Sequence, residues 1–265
     1  MHPANHRARI VRAAMKPFPF ENFLRMPVKP AKAMVLAAGL GVRMRPLTDR
    51  MPKPLVKVAG RPLLDHVLDK LAEAGVREAV VNVHYLPDQI IDHVAARPAP
   101  RVIISDERDV VLGTGGGVVK ALPLLGDAPF FHVNADTMWI DGVRSNLARL
   151  AEAFDSGRMD ILLLMSPTIS SIGYQGAGDY AMAADGTLRK RKEHQVVPFV
   201  YAGVAIMSPA IFKDAPHGAF SLTKLFDRAE DEGRLYGLRM DGVWMHVGTP
   251  DAIAAAEDAF LASVA

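Results

Sequence analysis

The chain has 265 residues, 50% of them hydrophobic and 23% charged, with 21 Gly, 19 Pro and no Cys. This length suits one large domain or two small ones, and the apolar fraction suits a packed core. The missing cysteines exclude disulfides, thiolate metal sites and cysteine nucleophiles. No apolar run approaches the roughly 20 residues needed to span a bilayer, so a soluble, cytoplasmic protein with no membrane partner is expected. The net charge of +2 hides an uneven distribution: residues 1–32 hold seven Lys/Arg and one acid, leaving 24 basic against 28 acidic residues beyond them.

The first 30 residues carry Pro3, Pro17, Pro19, Pro27 and Pro30, no sustained period and no apolar stretch of signal-peptide type. They read as a flexible basic extension, with Met15 and Met26 as alternative starts, and residues 31–265 read as a single domain. Ala33–Ala37 reads as a buried strand feeding a loop with Gly39 and Gly41. Helical spacing follows over Leu63–Ala74, a β-branched strand over Glu78–Val83, a helix over Asp88–Ala96 and a strand over Arg101–Ser105. Beyond a glycine cluster come a helix over Val118–Leu125, a strand over Phe130–Val133, a helix over Arg144–Phe154 and an apolar strand over Met159–Met165. Strands alternating with helices predict an α/β fold with a mixed, mainly parallel central sheet flanked by helices. After residue 166 the rhythm becomes more antiparallel, with strands at Tyr180–Ala183, Leu188–Lys190 and Phe199–Met207. Helices at Leu222–Glu230 and Asp251–Ser263 and strands at Leu235–Met240 and Val243–Val247 complete the chain.

The stretch LAAGLGVRMRPLTDRMPKPL, Leu36 to Leu55, carries the clearest chemistry. Glycines let the backbone approach phosphate oxygens, and successive N–H groups form an anion-binding concavity. Arginine forks and a lysine point charge then neutralise a polyphosphate. Residues 41–61 hold six basic residues and one acid inside an otherwise acidic body. That concentration fits one triphosphate and no nucleic acid. Neither G-x-x-x-x-G-K-[ST] nor G-x-G-x-x-G fits here, because Met44 stands at the third glycine position of the latter.

These residues resemble the sugar-1-phosphate nucleotidyltransferase family, whose signature runs L-A-A-G-x-G-[TS]-R-[ML]-x-P-[LM]-T and then P-K-P/Q-[LM]. The resemblance begins near Ala31 and covers the rest of the chain. It implies a Rossmann-like, GT-A-like nucleotidyltransferase fold. Residues 31–165 would bind nucleotide and 166–265 the sugar phosphate. In the family, backbone matching Ala37, Ala38, Gly39 and Gly41 and the arginine matching Arg43 grip the triphosphate, and the lysine matching Lys53 contacts phosphate at the reaction centre. Val42 replaces a hydroxyl residue.

The run Leu112-Gly113-Thr114-Gly115-Gly116-Gly117 matches a segment that packs on base and ribose, although close cousins carry Glu where Gly113 stands. Asn82 and His84 end the preceding strand, on the edge where open α/β sheets bind ligands. Asn134 is expected as a further nucleotide contact, and Asp136 would hold Mg²⁺, with Mn²⁺ as the alternative, bridging substrate phosphates. In W-x-D-[VT]-G-T-P the family places a second metal-binding aspartate; here His246 occupies it, a poorer donor for hard Mg²⁺. On the acceptor side the resemblance points to Gly178, to Lys192 and Glu193 as the acid–lysine pair, and to Tyr201 and Gly203. Arg43, Lys53 and Asp136 are the expected catalytic residues.

The reaction implied is nucleoside triphosphate plus sugar 1-phosphate giving nucleotide sugar and pyrophosphate. Sequence around ERDVVLGTGGG and FVYAGVAI resembles the uridylyltransferase branch acting on N-acetylmuramate 1-phosphate, a cell-wall recycling sugar, so UMP transfer from UTP is expected. Guanylyltransferases for mannose or heptose 1-phosphate share nearly all these motifs and remain the alternative. A homologue that binds nucleotide without turnover is the second, motivated by Val42 and His246. Monomer and dimer are equally compatible with the chain.

Overall fold

The computed structural model describes residues 28–264; residues 1–27, the bulk of the expected basic extension, and residue 265 lie outside the described residues. Strand β1 (Lys32–Leu36) buries Ala33, Met34 and Val35, as a strand covered on both faces must. Three short 3-10 turns follow (Val42–Met44, Leu47–Asp49, Lys53–Leu55), then the two-residue strands β2 (Lys57–Val58) and β3 (Arg61–Pro62). Helix α1 (Leu63–Glu73) buries Leu64, Leu68 and Leu71 on one stripe, and Gly75 at φ +83° turns the chain out of it. Strand β4 (Glu78–Val83), helix α2 (Pro87–Val94) and strand β5 (Arg101–Asp106) occupy the segments their patterns predict.

Helix α3 (Gly113–Leu125) starts inside the glycine cluster rather than at Val118. Strand β6 (Phe130–Asn134) is followed by β7 (Thr137–Asp141), which the pattern did not announce, and by helix α4 (Asn146–Ala153), capped by the Ser145 hydroxyl. The remainder comprises β8 (Ile161–Pro167), β9 (Tyr180–Met182), β10 (Leu188–Lys190), β11 (Phe199–Met207), α5 (Thr223–Asp231), β12 (Leu235–Arg239), β13 (Gly242–His246) and α6 (Asp251–Val264).

The nine-stranded sheet is mixed. β1 lies between parallel β4 and β6, β5 extends the parallel edge, and antiparallel β11 joins β6 to β8, which pairs in parallel with β12. The β9–β10 hairpin joins the start of β11 at Phe199. Helices α1, α2 and α4 cover one face, and α3 and α5 the other. A third cluster, with Met44, Leu63, Met245 and Ala256 at its centre, packs beneath the glycine loop. The expected α/β architecture, mainly parallel and flanked by helices, is present, and the loops after β1, β4 and β6 open at one end of the sheet.

Candidate active site

At that end lies a cavity of about 460 Å³. Its floor is the loop after β1. Gly41 holds φ +65°, and a Cβ there would meet the Lys53 and Thr48 side chains at 3.1 Å. The Thr48 hydroxyl donates to the Gly41 carbonyl at 2.8 Å, and buried Met44 roots the turn in the third cluster. Ala37, Ala38, Gly39, Gly41 and Arg43 all line the cavity, and Gly39 has nothing within 4 Å of where its Cβ would stand. Val42, in place of the family's hydroxyl residue, is 55% exposed.

Asn82, at the end of β4, ties this floor to the wall. Its Oδ1 accepts from the Ala37 N–H at 2.8 Å, and its Nδ2 donates to Glu107 Oε1 at 2.9 Å. The His84 Nδ1–H donates to the Glu107 carbonyl at 2.8 Å. Glu107 is 2% exposed, and desolvation pushes its carboxyl above the usual range against the opposing bond from Asn82. Sequence reasoning assigned Glu107 no role, although it lies in the quoted segment ERDVVLGTGGG and lines the cavity. An acid directly after an apolar strand was the available signal.

Gly113 and Thr114 line the cavity from the start of α3, whereas Gly115 does not: its N–H donates to the Phe220 carbonyl at 2.9 Å and its Cα faces the Phe220 ring too closely for a Cβ. Gly116 is pressed likewise against the Gly218 carbonyl, and a Cβ on Gly117 would stand 2.8 Å from Asn82 Nδ2. The Thr114 hydroxyl accepts from the Leu222 N–H at 2.8 Å. The glycine cluster therefore lets α3 dock against 218–220 and the Asn82–Glu107 pair as well as shaping the cavity wall.

Asn134 and Asp136, at and just beyond the end of β6, line the opposite wall. Asn134 is backed by Gly203 (φ +77°), whose Cβ would approach Asn134 Nδ2 to 2.9 Å, and the β11 register shifts across this point. Lys53, only 8% exposed, donates to Asp136 Oδ2 at 2.5 Å, bringing two expected catalytic residues together across 83 positions.

His246 ends β13 opposite Thr137, next to Asp136 in the chain. Burial pushes its imidazole below the usual range, reinforced by Arg43 and Lys53 and opposed by Asp136, so the ring is neutral at neutral pH. Trp244 and Tyr174 pack on it, and a Cβ on Gly248 would stand 2.5 Å from its Nε2.

Among the described residues, no group of three or more His, Cys, Asp or Glu side chains could hold a metal. Mg²⁺ is commonly bound through one or two carboxylates completed by substrate phosphates and water. Asp136 fits that part; the neutral nitrogen of His246 is a softer donor that suits Mn²⁺ better.

Of the acceptor-side candidates, Gly203 stands behind the cavity wall at Asn134, and the other four do not line the cavity. Lys192 and Glu193 stand on an exposed loop, with Glu193 facing His194 at 3.6 Å. Gly178 is buried at φ +78°, its carbonyl accepting from Arg191 Nε at 3.0 Å. The Tyr201 hydroxyl turns inward, 3.1 Å from His132 Nδ1.

The fold and its relatives place the chain among the sugar-phosphate nucleotidyltransferases. Residues 33–202 match the MobA-like NTP transferase domain, and the chain belongs to that family. It is 48% identical over 232 residues to the N-acetylmuramate alpha-1-phosphate uridylyltransferase of Caulobacter vibrioides, covering 86% of this chain and 96% of that one. The enzyme of the same name from Neisseria meningitidis serogroup B is 34% identical over 221 residues, 82% of this chain and 93% of that one. HddC from Yersinia pseudotuberculosis shares the fold, with a TM-score of 0.69, 24% identity and coverage of 86% of this chain and 99% of that one.

Proposed function

We propose that this chain transfers UMP from UTP to N-acetylmuramate 1-phosphate, giving UDP-N-acetylmuramate and pyrophosphate in the cytoplasm, where the triphosphate is supplied. The observation that carries the reading is the 48% identity to the Caulobacter vibrioides enzyme across 96% of its length. The cavity agrees in chemistry: a backbone cradle at 37–41, the Arg43 guanidinium, and Lys53 beside Asp136.

A sugar phosphate with a second pKa near 6 is largely a dianion at neutral pH. Its oxygen attacks the α-phosphorus in line as the bond to the β-phosphate oxygen breaks, and pyrophosphate leaves with that electron pair. No general base is required, so catalysis is positioning and charge neutralisation. Glycine-loop N–H groups and Arg43 would hold the β- and γ-phosphates. Lys53 would follow the charge developing on the leaving oxygen, exchanging Asp136 for phosphate. Bound Mg²⁺, held by Asp136 with His246 alongside, would supply further neutralisation of that charge. Residues 31–165 would form the nucleotide half and 166–265 the acceptor half, with Gly178, Lys192, Glu193, Tyr201 and Gly203 on the acceptor side.

Pyrophosphate release measured for UTP, GTP, CTP and ATP against a panel of sugar 1-phosphates tests this. UTP with N-acetylmuramate 1-phosphate should give the highest kcat/KM. Preference for GTP with mannose or heptose 1-phosphate would replace that substrate pair, and nucleotide binding without pyrophosphate from any pair would sink the enzyme reading.

A further inference from the structure

One aromatic side chain spans the gap between the two groups of candidate residues. Tyr174 lies on the segment between β8 and β9. This segment runs beside β13: the Ile172 N–H donates to the Trp244 carbonyl at 2.9 Å, and the His246 N–H to the Ile172 carbonyl at 2.8 Å. A Cβ on Gly173 would meet the His246 carbonyl at 2.9 Å. The Tyr174 ring then packs on Trp244 at 5.9 Å and edge-on to His246 at 6.2 Å. Its hydroxyl accepts from the Gly178 N–H at 3.0 Å.

Gly178 is not a loose end. A Cβ there would collide with the Val197 carbonyl; the Asp179 N–H donates to the Phe199 carbonyl at 2.7 Å, and the Tyr201 N–H to Asp179 Oδ2 at 2.9 Å. Gly178 and Asp179 are therefore tied to the start of β11. At the other end, His246 feels the charges of Arg43, Lys53 and Asp136. One side chain thus touches the strand end beside the phosphate-binding charges and the first of the acceptor-side candidates.

We propose that Tyr174 is a positioning residue for the acceptor. Its hydroxyl holds Gly178, tied to the start of β11, at a set distance from the His246 end of β13, so that a sugar 1-phosphate bound there is presented to the nucleotide cavity. This rests on the reading above that 178–203 binds the acceptor. An in-line transfer is sensitive to such spacing, since misplacement by about 1 Å can cost roughly a hundredfold. Burial raises the phenol pKa, so the hydroxyl stays un-ionised at neutral pH.

Tyr174→Phe keeps the ring packing and removes only the bond to Gly178. The expected result is a KM for the sugar 1-phosphate raised roughly three- to tenfold, as loss of one net hydrogen bond implies. KM for the nucleoside triphosphate should stay unchanged, and the unfolding midpoint should fall only by the small amount that loss of one internal hydrogen bond costs. In amide hydrogen exchange, Gly178 should lose protection in Tyr174→Phe. Tyr174→Leu, which also loses the ring contacts, should lower kcat as well, and Tyr174→Phe should rescue kcat relative to it. The inference is overturned if the wild type turns over and Tyr174→Phe either leaves both KM values unchanged or raises both equally. If the wild type releases no pyrophosphate with any sugar 1-phosphate, the functional reading fails first and takes the inference with it.

Discussion

His132 sits at the centre of β6, 1% exposed, with Nδ1 against the Tyr201 hydroxyl and Nε2 without a partner among the described residues. Burial lowers its pKa from 6.5 to about 4, so the folded chain refuses a proton that the unfolded chain accepts. Stability from this group is therefore intact above pH 6.5 and is lost as pH falls towards 4, at about 1.4 kcal/mol per pH unit and about 3 kcal/mol in all. Glu107 works in the opposite sense: its carboxyl is raised in the fold, so protonation at falling pH relieves the cost of burying its charge. Urea midpoints between pH 7 and 4 should show a shallower loss for His132→Gln than for the wild type; equal slopes would place the acid sensitivity elsewhere. Gly39 offers a second test at this scale. With open space where a Cβ would stand and a backbone that needs no glycine, Gly39→Ala should change stability by less than about 0.5 kcal/mol. The same methyl group would occupy the phosphate cradle, so KM for the triphosphate should rise about tenfold or more.

Helix α3 begins with Gly113, Gly115, Gly116 and Gly117, residues that each cost a helix about 1 kcal/mol relative to Ala. It forms there because the glycines allow contacts that no side chain would permit: against Phe220, against the Gly218 carbonyl, and against Asn82 and Glu107. Periodicity reads hydrophobic side chains, and glycines have none, so Val118 is where the pattern becomes visible. Gly116→Ala would push on backbone rather than on the end of a flexible side chain. It should destabilise by about 1–3 kcal/mol, read as a lower urea midpoint. It should also raise KM for the triphosphate, because Gly113 and Thr114 shift with the helix start. A Gly116→Ala protein of unchanged midpoint would mean that the 218–220 loop yields without cost.

Across the whole molecule the charge is unevenly spread: the basic excess lies in residues 1–32 while the body is acidic. Within that body the positive charge is concentrated in the segment from Gly41 to Arg61, and Lys53 is already neutralised in part by Asp136. Ligand binding to the folded state alone raises apparent stability by mass action, by about 2.7 kcal/mol at a hundredfold excess over Kd. The wild type should therefore unfold at a higher temperature with UTP present. Arg43→Ala, at an exposed position making no bond to the protein among the described residues, should unfold at the wild-type temperature alone and lose most of that UTP-induced rise. Among the described residues, no helix is long and apolar enough to cross a membrane.

The order of strands and helices, the glycine loop after β1 and the carboxylate after β6 were legible in the chain because their causes are local: hydrophobic period, turn residues, and cations spaced within one loop. The Lys53–Asp136 pair and the Asn82–Glu107 clamp were not, because their partners lie 83 and 25 residues apart and meet only when parallel strands bring their ends to one edge. Tyr201 shows the same limit on the acceptor side. Side chains alternate between the two faces of a strand, and the irregularity between Tyr201 and Ala205 resets that alternation. The family resemblance marks Tyr201 as a candidate for the sugar; in the fold its hydroxyl stands 3.1 Å from His132 Nδ1 on β6, a contact across 69 positions that no local pattern shows. The residue types and spacing of the glycine loop were thus determined by sequence alone, whereas which distant residues meet at its edge was decided by the tertiary structure, because parallel pairing of β1, β4 and β6 brings their ends together.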